Sequence, residues 1–200
     1  RVGLGGRSFT MFKLRSMRVR ADNTGVDSTG SDDPRITRLG KVIRRFKVDE
    51  LPQLLNVLVG HMSIVGPRPN VERETRLYSN MERNLLNVRP GITDLSSIVF
   101  SDESEILKGS NDPDLDYNQR IRPIKSQLGL LYVASRTLRL DIEIILITLV
   151  GLFSRKSALE SVAHLVLRVG GSEDLSMLCR RQSPLVATPP PGLDHIVGRR

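Results

Sequence analysis

The stretch VDELPQLLNVLVGHMSIVGPRP, residues 48–69, decides how the chain is read. It opens on an adjacent acid pair, Asp49 and Glu50, and continues into leucines at 51, 54, 55 and 58. Those positions follow i, i+3, i+4 and i+7, so the spacing predicts an amphipathic helix with one leucine face turned to the core. Pro52 falls in the first turn, where a missing N–H costs little, and Gly60 can end the helix. Asp49 then stands at the N-cap, where unsatisfied N–H groups and the helix dipole favour negative charge. Two readings of it stand at this point: a structural cap, or a fixed carboxylate serving as nucleophile or metal ligand.

Just beyond that helix Arg68 is held between Pro67 and Pro69. A residue before proline is pushed toward extended backbone, so the guanidinium is displayed on a stiff loop. Its planar fork suits two-point contact with phosphate oxygens. Upstream, Lys13, Arg15, Arg44 and Arg45 add positive charge. A carboxylate pair set among cations is what a metal-assisted reaction on a phosphorylated substrate requires.

Composition narrows the partners. The formal charge of +8 calls for something anionic: a phosphorylated metabolite, a nucleic acid or an acidic lipid surface. Aromatic residues make up only 4% of the 200, with no Trp, which is poor material for stacking bases. A single cysteine, Cys179, excludes an internal disulfide framework, points to a reducing compartment and reads as an inert thiol. The longest apolar run, 140–153, is 14 residues with Asp141 and Glu143 near its start. That is short of the ~20 needed to cross a bilayer, so it reads as a buried or interfacial helix.

Along the rest of the chain, residues 7–17 read as a strand or hairpin edge and 22–33 as a loop. Ile36, Leu39, Ile43 and Phe46 predict an amphipathic helix whose other face is Arg38, Lys41, Arg44 and Arg45. That basic face is either a solvated stripe or part of a site, since it runs straight into the acid pair. Residues 71–84 read as a polar helix, 95–100 as a short strand, and 102–108 and 113–139 as helices, the last interrupted near Pro123. From Gly170 onward periodicity is lost, and the tail reads as disordered.

Several blocks together resemble the bacterial sugar transferases, the polyprenyl-phosphate hexose-1-phosphate transferases, also called monotopic phosphoglycosyl transferases. They are Asp49-Glu50-Leu51-Pro52-Gln53 through Gly66-Pro67-Arg68-Pro69, Phe12 to Met17, Asp33 to Thr37, and Arg89-Pro90-Gly91-Ile92-Thr93. The blocks keep that family's order and spacing over about residues 1–150. The resemblance implies transfer of a hexose 1-phosphate from a nucleoside-diphosphate sugar, usually a UDP-sugar, to a membrane polyprenyl phosphate. Asp49 matches the nucleophile of a covalent phospho-sugar intermediate and Glu50 its acidic neighbour. Mg2+ is expected at this pair, with Asp49 as its ligand. Lys13, Arg15, Arg44 and Arg68, with the flanking Pro67 and Pro69, match positions near the phosphates.

Three departures stand out. His61 replaces an acidic residue, Asp94 replaces a glycine, and 95–103 is similar to a subgroup associated with exopolysaccharide assembly. Members also carry an amino-terminal hydrophobic segment that enters the membrane; this chain starts at Arg1, past its place. The expected location is the cytoplasmic face of the bacterial cell membrane, peripheral or monotopic, or the cytoplasm for a chain without that segment. A homodimer is a further expectation, and nucleic acid is not expected as a partner. The architecture expected is α+β, predominantly helical, with one or two short β-hairpins or strand pairs. Residues 1–155 would form the catalytic domain and 156–200 a largely disordered extension. The competing reading is an inactive truncated relative acting as a membrane-surface or partner-binding module.

Overall fold

The structure is a computed structural model that describes every residue except 20, 22–27, 46, 47, 199 and 200, and the backbone alone of Arg45. Part of the expected 22–33 loop, the Phe46 end of the first expected helix and the Arg45 side chain therefore lie outside the described residues.

The elements run α1 (Arg38–Arg45), a 3-10 turn (Val48–Glu50), α2 (Gln53–Leu58), β1 (Ser63–Val65) and α3 (Glu72–Thr75). A 3-10 helix (Glu82–Asn87), β2 (Gly91–Thr93), α4 (Leu95–Val99), α5 (Glu103–Ile106) and α6 (Pro113–Asp116) follow. A π turn (Tyr117–Ile121) then leads into α7 (Arg122–Ser135), α8 (Leu138–Phe153), α9 (Arg155–Arg168) and α10 (Glu173–Arg180). The fold is thus α+β and predominantly helical, with one strand pair among the described residues. The core lies between α4, the π turn and α7 to α10, where Val99, Ile121, Leu128, Ile144, Val162 and Val166 are sealed from solvent.

The strand pair is parallel, with Ser63 opposite Gly91 and Val65 opposite Thr93. Its crossing point is unusually close. A Cβ on Gly91 would stand 2.1 Å from the Gly66 amide nitrogen, and one on Gly66 would stand 2.5 Å from the Arg89 carbonyl oxygen. The Gly91 N–H donates to Pro67 O at 3.1 Å and the Gly66 N–H to Thr93 O at 3.0 Å. Only two residues without side chains allow these hydrogen bonds.

Several expectations are corrected. The leucine face of α2 does not enter the core: Leu51, Leu54, Leu55 and Leu58 are exposed, Leu58 by 81%. The buried residues of α2 are polar, Gln53 and Asn56. Burial follows the hydrogen bonds Asn56 can make: its Nδ2 donates to Thr10 O at 2.8 Å and its Oδ1 accepts from Phe12 N at 2.9 Å. Asp49 is not the N-cap of α2, since Pro52 holds that place and Asp49 sits in the preceding 3-10 turn. Gly60 does end the helix, with φ of 78°.

Residues 95–100 form a helix, not a strand, because Asp94 and Ser97 make a reciprocal capping box: Ser97 N to Asp94 Oδ1 at 2.7 Å, Asp94 N to Ser97 Oγ at 3.0 Å. The Asp94 departure from glycine is therefore a helix start. Residues 7–17 make only isolated bridges, Val2 with Ser8 and Met17 with Ile36. Residues 71–84 hold one turn of α3 and the start of the 3-10 helix rather than one long helix. The break near Pro123 is the π turn before it, which places Pro123 in the first turn of α7.

The 156–200 extension, expected to be largely disordered, carries most of α9 and all of α10, each started by a serine cap. Leu175 and Cys179 are buried and Ser176 Oγ donates to Ala163 O of α9 at 2.9 Å, a signal too brief for a periodicity window. Beyond α10 the chain lies across the 3-10 helix and π turn: Ser79 Oγ donates to Pro191 O, and Thr188 N to Gln119 O at 3.0 Å.

Two outcomes follow. Gly91→Ala forces a methyl into the Gly66 backbone and should lower the folding free energy by about 3 kcal/mol or more in a urea titration. Cys179 is fully buried, and burial pushes its thiol up from 9.0 to about 12. Because the folded value is raised, the contribution of this thiol to stability is complete below pH about 9 and fades as pH climbs toward about 12. Iodoacetamide at about pH 8 should leave the native protein unlabelled and modify it only in denaturant; rapid native labelling would show α10 detached.

Candidate active site

The acid pair sits where the chain is stitched to itself. Phe12 N and Thr10 O bind Asn56, and Leu14 N donates to Asp49 O at 3.1 Å. Lys13 lies between these anchors, so its Nζ is brought to 3.0 Å from Asp49 Oδ2. Asp49 is 3% exposed. On the other side, Arg68 Nη2 donates to Glu50 Oε1 at 2.5 Å. The Pro-Arg-Pro turn reaches Glu50 because β1 ends at Val65 and the Gly66–Gly91 crossing fixes its exit.

Both pairs open into one cavity of about 300 Å³. Lys13, Arg44, Asp49, Glu50, Arg68 and Pro69 are among the residues that line it. Arg44 comes from α1, and its Nε donates to Ser16 Oγ at 3.0 Å. Burial lowers the Arg44 pKa, and the carboxylates of Asp49 and Asp33 oppose that shift. For Arg68, burial also works downward, but the Glu50 carboxylate outweighs it and holds the guanidinium above its ordinary value. Charge compensation is thus built into the site.

Two expected residues stand elsewhere. Arg15 lines a neighbouring groove that shares Lys13 and Arg44 with the cavity. Pro67 lines a small hollow beside Tyr78, Leu85 and Arg122, where its backbone carbonyl serves the strand crossing. His61 is exposed, its ring 5.7 Å from that of Phe9, in a groove apart from the acid pair.

The rest of the cavity lining was not read from the sequence. It is built by α4, α5, the π turn and α7, and includes Ser97, Phe100, Ser101, Glu103, Tyr117 and Lys125. Lys125 pairs with Glu103, and its Nζ lies 5.2 Å from the centroid of the Tyr117 ring. Beneath it, α7 is anchored by a buried ion pair. Arg122 Nη2 donates to Glu82 Oε2 at 2.5 Å, Arg122 Nε to Glu82 Oε1 at 3.0 Å, and Ser126 Oγ to Glu82 Oε1 at 2.7 Å. These charges are paired and hydrogen-bonded, as burial demands. The one signal for this part of the lining was the acid pair Asp102-Glu103, which has no periodic partner.

Among the described residues no group of three or more His, Cys, Asp or Glu side chains could hold a metal ion. Asp49 and Glu50 each already face a cation. The donor set therefore fits magnesium in one way: a single carboxylate plus phosphate oxygens and water, the arrangement this ion commonly takes with phosphorylated substrates.

Comparisons with known proteins agree on the family. The family described as "Bacterial sugar transferase" matches residues 1–155. A UDP-glucose:undecaprenyl-phosphate glucose-1-phosphate transferase from Xanthomonas campestris pv. campestris is 40% identical over 163 residues, 79% of this chain and 31% of that protein. The galactosyl transferase CpsE of Streptococcus agalactiae is 38% identical over 160 residues, covering 74% of this chain and 32% of its own length. The exopolysaccharide production protein PSS of Rhizobium leguminosarum bv. phaseoli is 37% identical over 164 residues, 78% of this chain and 76% of its own. The chain spans about a third of the length of the first two relatives. It belongs to the bacterial sugar transferase family.

Asn56 is the positioning residue that the leucine pattern concealed. Asn56→Ala removes the side-chain partner of the Phe12 N–H and the Thr10 carbonyl and should cost about 1 kcal/mol in chemical denaturation. An unchanged midpoint would mean that Lys13 is positioned by other contacts.

Proposed function

We propose that this member of the bacterial sugar transferase family moves a hexose 1-phosphate from a UDP-sugar to a polyprenyl phosphate, through a covalent bond to Asp49, as a step in surface-glycan assembly. The observation that carries it is the buried Asp49 carboxylate, 3.0 Å from Lys13 and facing a cavity that Arg44 and Arg68 also line.

A carboxylate oxygen of Asp49 attacks the phosphorus that bears the sugar. The bond from that phosphorus to the bridging oxygen breaks, and UMP leaves with the electron pair. An oxygen of polyprenyl phosphate then attacks the same phosphorus, the acyl-phosphate bond breaks and Asp49 is regenerated. An anionic nucleophile meets a diphosphate only if the charge between them is neutralised, which is the work of Lys13, Arg44 and Arg68. Glu50 aims Arg68 through their ion pair. Magnesium, held by Asp49 together with the phosphates, would supply further charge neutralisation and orient the leaving group. Two sequential displacements let one cavity serve two bulky substrates in turn.

The exposed leucines support a place at the membrane surface. Leu51, Leu54, Leu55 and Leu58 follow the acid pair directly and point outward, and Arg38 and Lys41 of the adjoining α1 are exposed beside Leu39 and Val42. An apolar face next to cations fits an anionic lipid surface. Further along the chain, α8 exposes Ile142, Leu146, Leu149 and Phe153, the last by 91%. No described helix is long and apolar enough to cross a membrane.

The decisive experiment incubates the chain with UDP-sugars, magnesium and polyprenyl phosphate and follows UMP. Asp49→Asn should abolish both UMP release and any trapped phospho-sugar adduct; an adduct on that variant removes Asp49 from the role. Arg68→Ala should lower kcat/KM by about 100-fold or more. Leu54→Glu with Leu58→Glu should weaken flotation with phosphatidylglycerol vesicles at least about tenfold; unchanged flotation would separate α2 from the membrane.

A further inference from the structure

We propose that the groove lined by Arg7, Phe9, His61 and Arg89, apart from the acid pair, binds the phosphodiester headgroup of an anionic phospholipid. This site deepens the placement of α2 at the membrane surface and rests on it, naming the lipid class and the residues that hold it.

The groove encloses about 550 Å³ between the N-terminal loop, the end of α2 and Arg89. Its cations stand on fixed backbone. Arg7 closes a tight turn in which the Gly3 N–H donates to Arg7 O at 2.8 Å and the Gly6 N–H to Gly3 O at 3.0 Å. Gly5 and Gly6 take φ of 64° and 77°, values that favour glycine. Arg89 is rooted at the strand crossing, where its carbonyl oxygen faces the side of Gly66 that lacks a Cβ and the Ser63 N–H donates to Pro90 O at 2.8 Å.

Charge in the groove is of one sign. No carboxylate lines it, and neither Arg7 nor Arg89 pairs with an acid among the described residues. The segments that supply the lining carry no acid nearby in sequence: residues 1–20, 51–71 and 83–93 contain neither Asp nor Glu. In the catalytic cavity, by contrast, Asp49, Glu50 and Glu103 each face a cation. Both arginines are exposed, and a guanidinium fork without an acid partner is open to two-point contact with phosphate oxygens.

Apolar surface borders these cations. Leu4 lines the groove and is exposed, as are Leu58 and Val59, which lead into Gly60 of the lining. Leu58 belongs to the outward leucine face of α2, so the groove continues that face. A Cβ on Gly5 or Gly60 would meet nothing within 4 Å, so the groove is open at both glycines. Cations beside exposed leucines match a ligand with a phosphate at one end and acyl chains at the other. Free phosphate would use the arginines and leave the leucines in water.

Calorimetry with the full chain and dihexanoyl lipids below their micelle concentration reads the site without a bilayer. Dihexanoyl-phosphatidylglycerol should bind at least about tenfold more tightly than inorganic phosphate or dihexanoyl-phosphatidylcholine, whose choline cation opposes the arginines. Arg7→Gln with Arg89→Gln should bring the two lipids within about twofold of each other. His61→Asp places a carboxylate in the groove and should weaken phosphatidylglycerol about fivefold. All three positions are exposed, so the urea midpoints of these variants should stay unchanged. Equal affinity for both lipids in the wild-type chain, or a preference that survives the double substitution, overturns the site. Phosphate binding as tightly as phosphatidylglycerol also overturns it and leaves an anion site only. Vesicle flotation unchanged by the leucine substitutions in α2 would overturn the α2 placement alone, because lipid affinity is measured separately in solution.

Discussion

The close approach of Gly66 and Gly91 is the constraint on which the site depends. One strand of the crossing leads into Pro67-Arg68-Pro69 and so delivers the guanidinium to Glu50. The other leads through Thr93 into the Asp94 cap and starts α4, which brings Ser97 to the cavity lining. Arg68 and α4 are therefore both placed by a contact in which two backbones meet without a Cβ between them. Two glycines separated in sequence, each beside a proline, act as one mechanical element.

Around that element the charges are arranged in pairs. Asp49 faces Lys13, Glu50 faces Arg68, Glu82 faces Arg122 and Glu103 faces Lys125. The Glu82 pair is fully buried and its oxygens accept from Ser79, Arg122 and Ser126, so it serves as scaffold. The others line the cavity, with cations that are partly exposed. The same residue types thus do two kinds of work, and burial separates the two.

Much of this was legible in the chain. The acid pair, Lys13, Arg44 and Arg68 were named from charge and spacing, and the structure brings them to one cavity. What misled was the leucine pattern of α2. Periodicity reports which residues share a face, not which way that face points, and an exposed apolar face carries the same pattern as a buried one. Asn56 decides the direction by hydrogen bonds to residues 10 and 12, a relation no local window contains. The strand at 95–100 failed for a similar reason: its apolar residues suited a strand, but Asp94 and Ser97 form a capping box that starts a helix. A short strand pair was expected and is present, but at 63–65 and 91–93 rather than at 7–17 or 95–100, because strands of three residues carry no alternation to locate them.

The contacts of Arg155 and Arg181 with Asp102, and of Arg181 with Phe100, reach from the far end of the chain into the lining of the cavity. The stretch that matches the family ends at 155, but the mechanical support of its pocket does not. Anyone grafting this pocket into a chimera would cut a brace by joining chains at the family boundary. The smallest transplantable unit runs at least through Arg181.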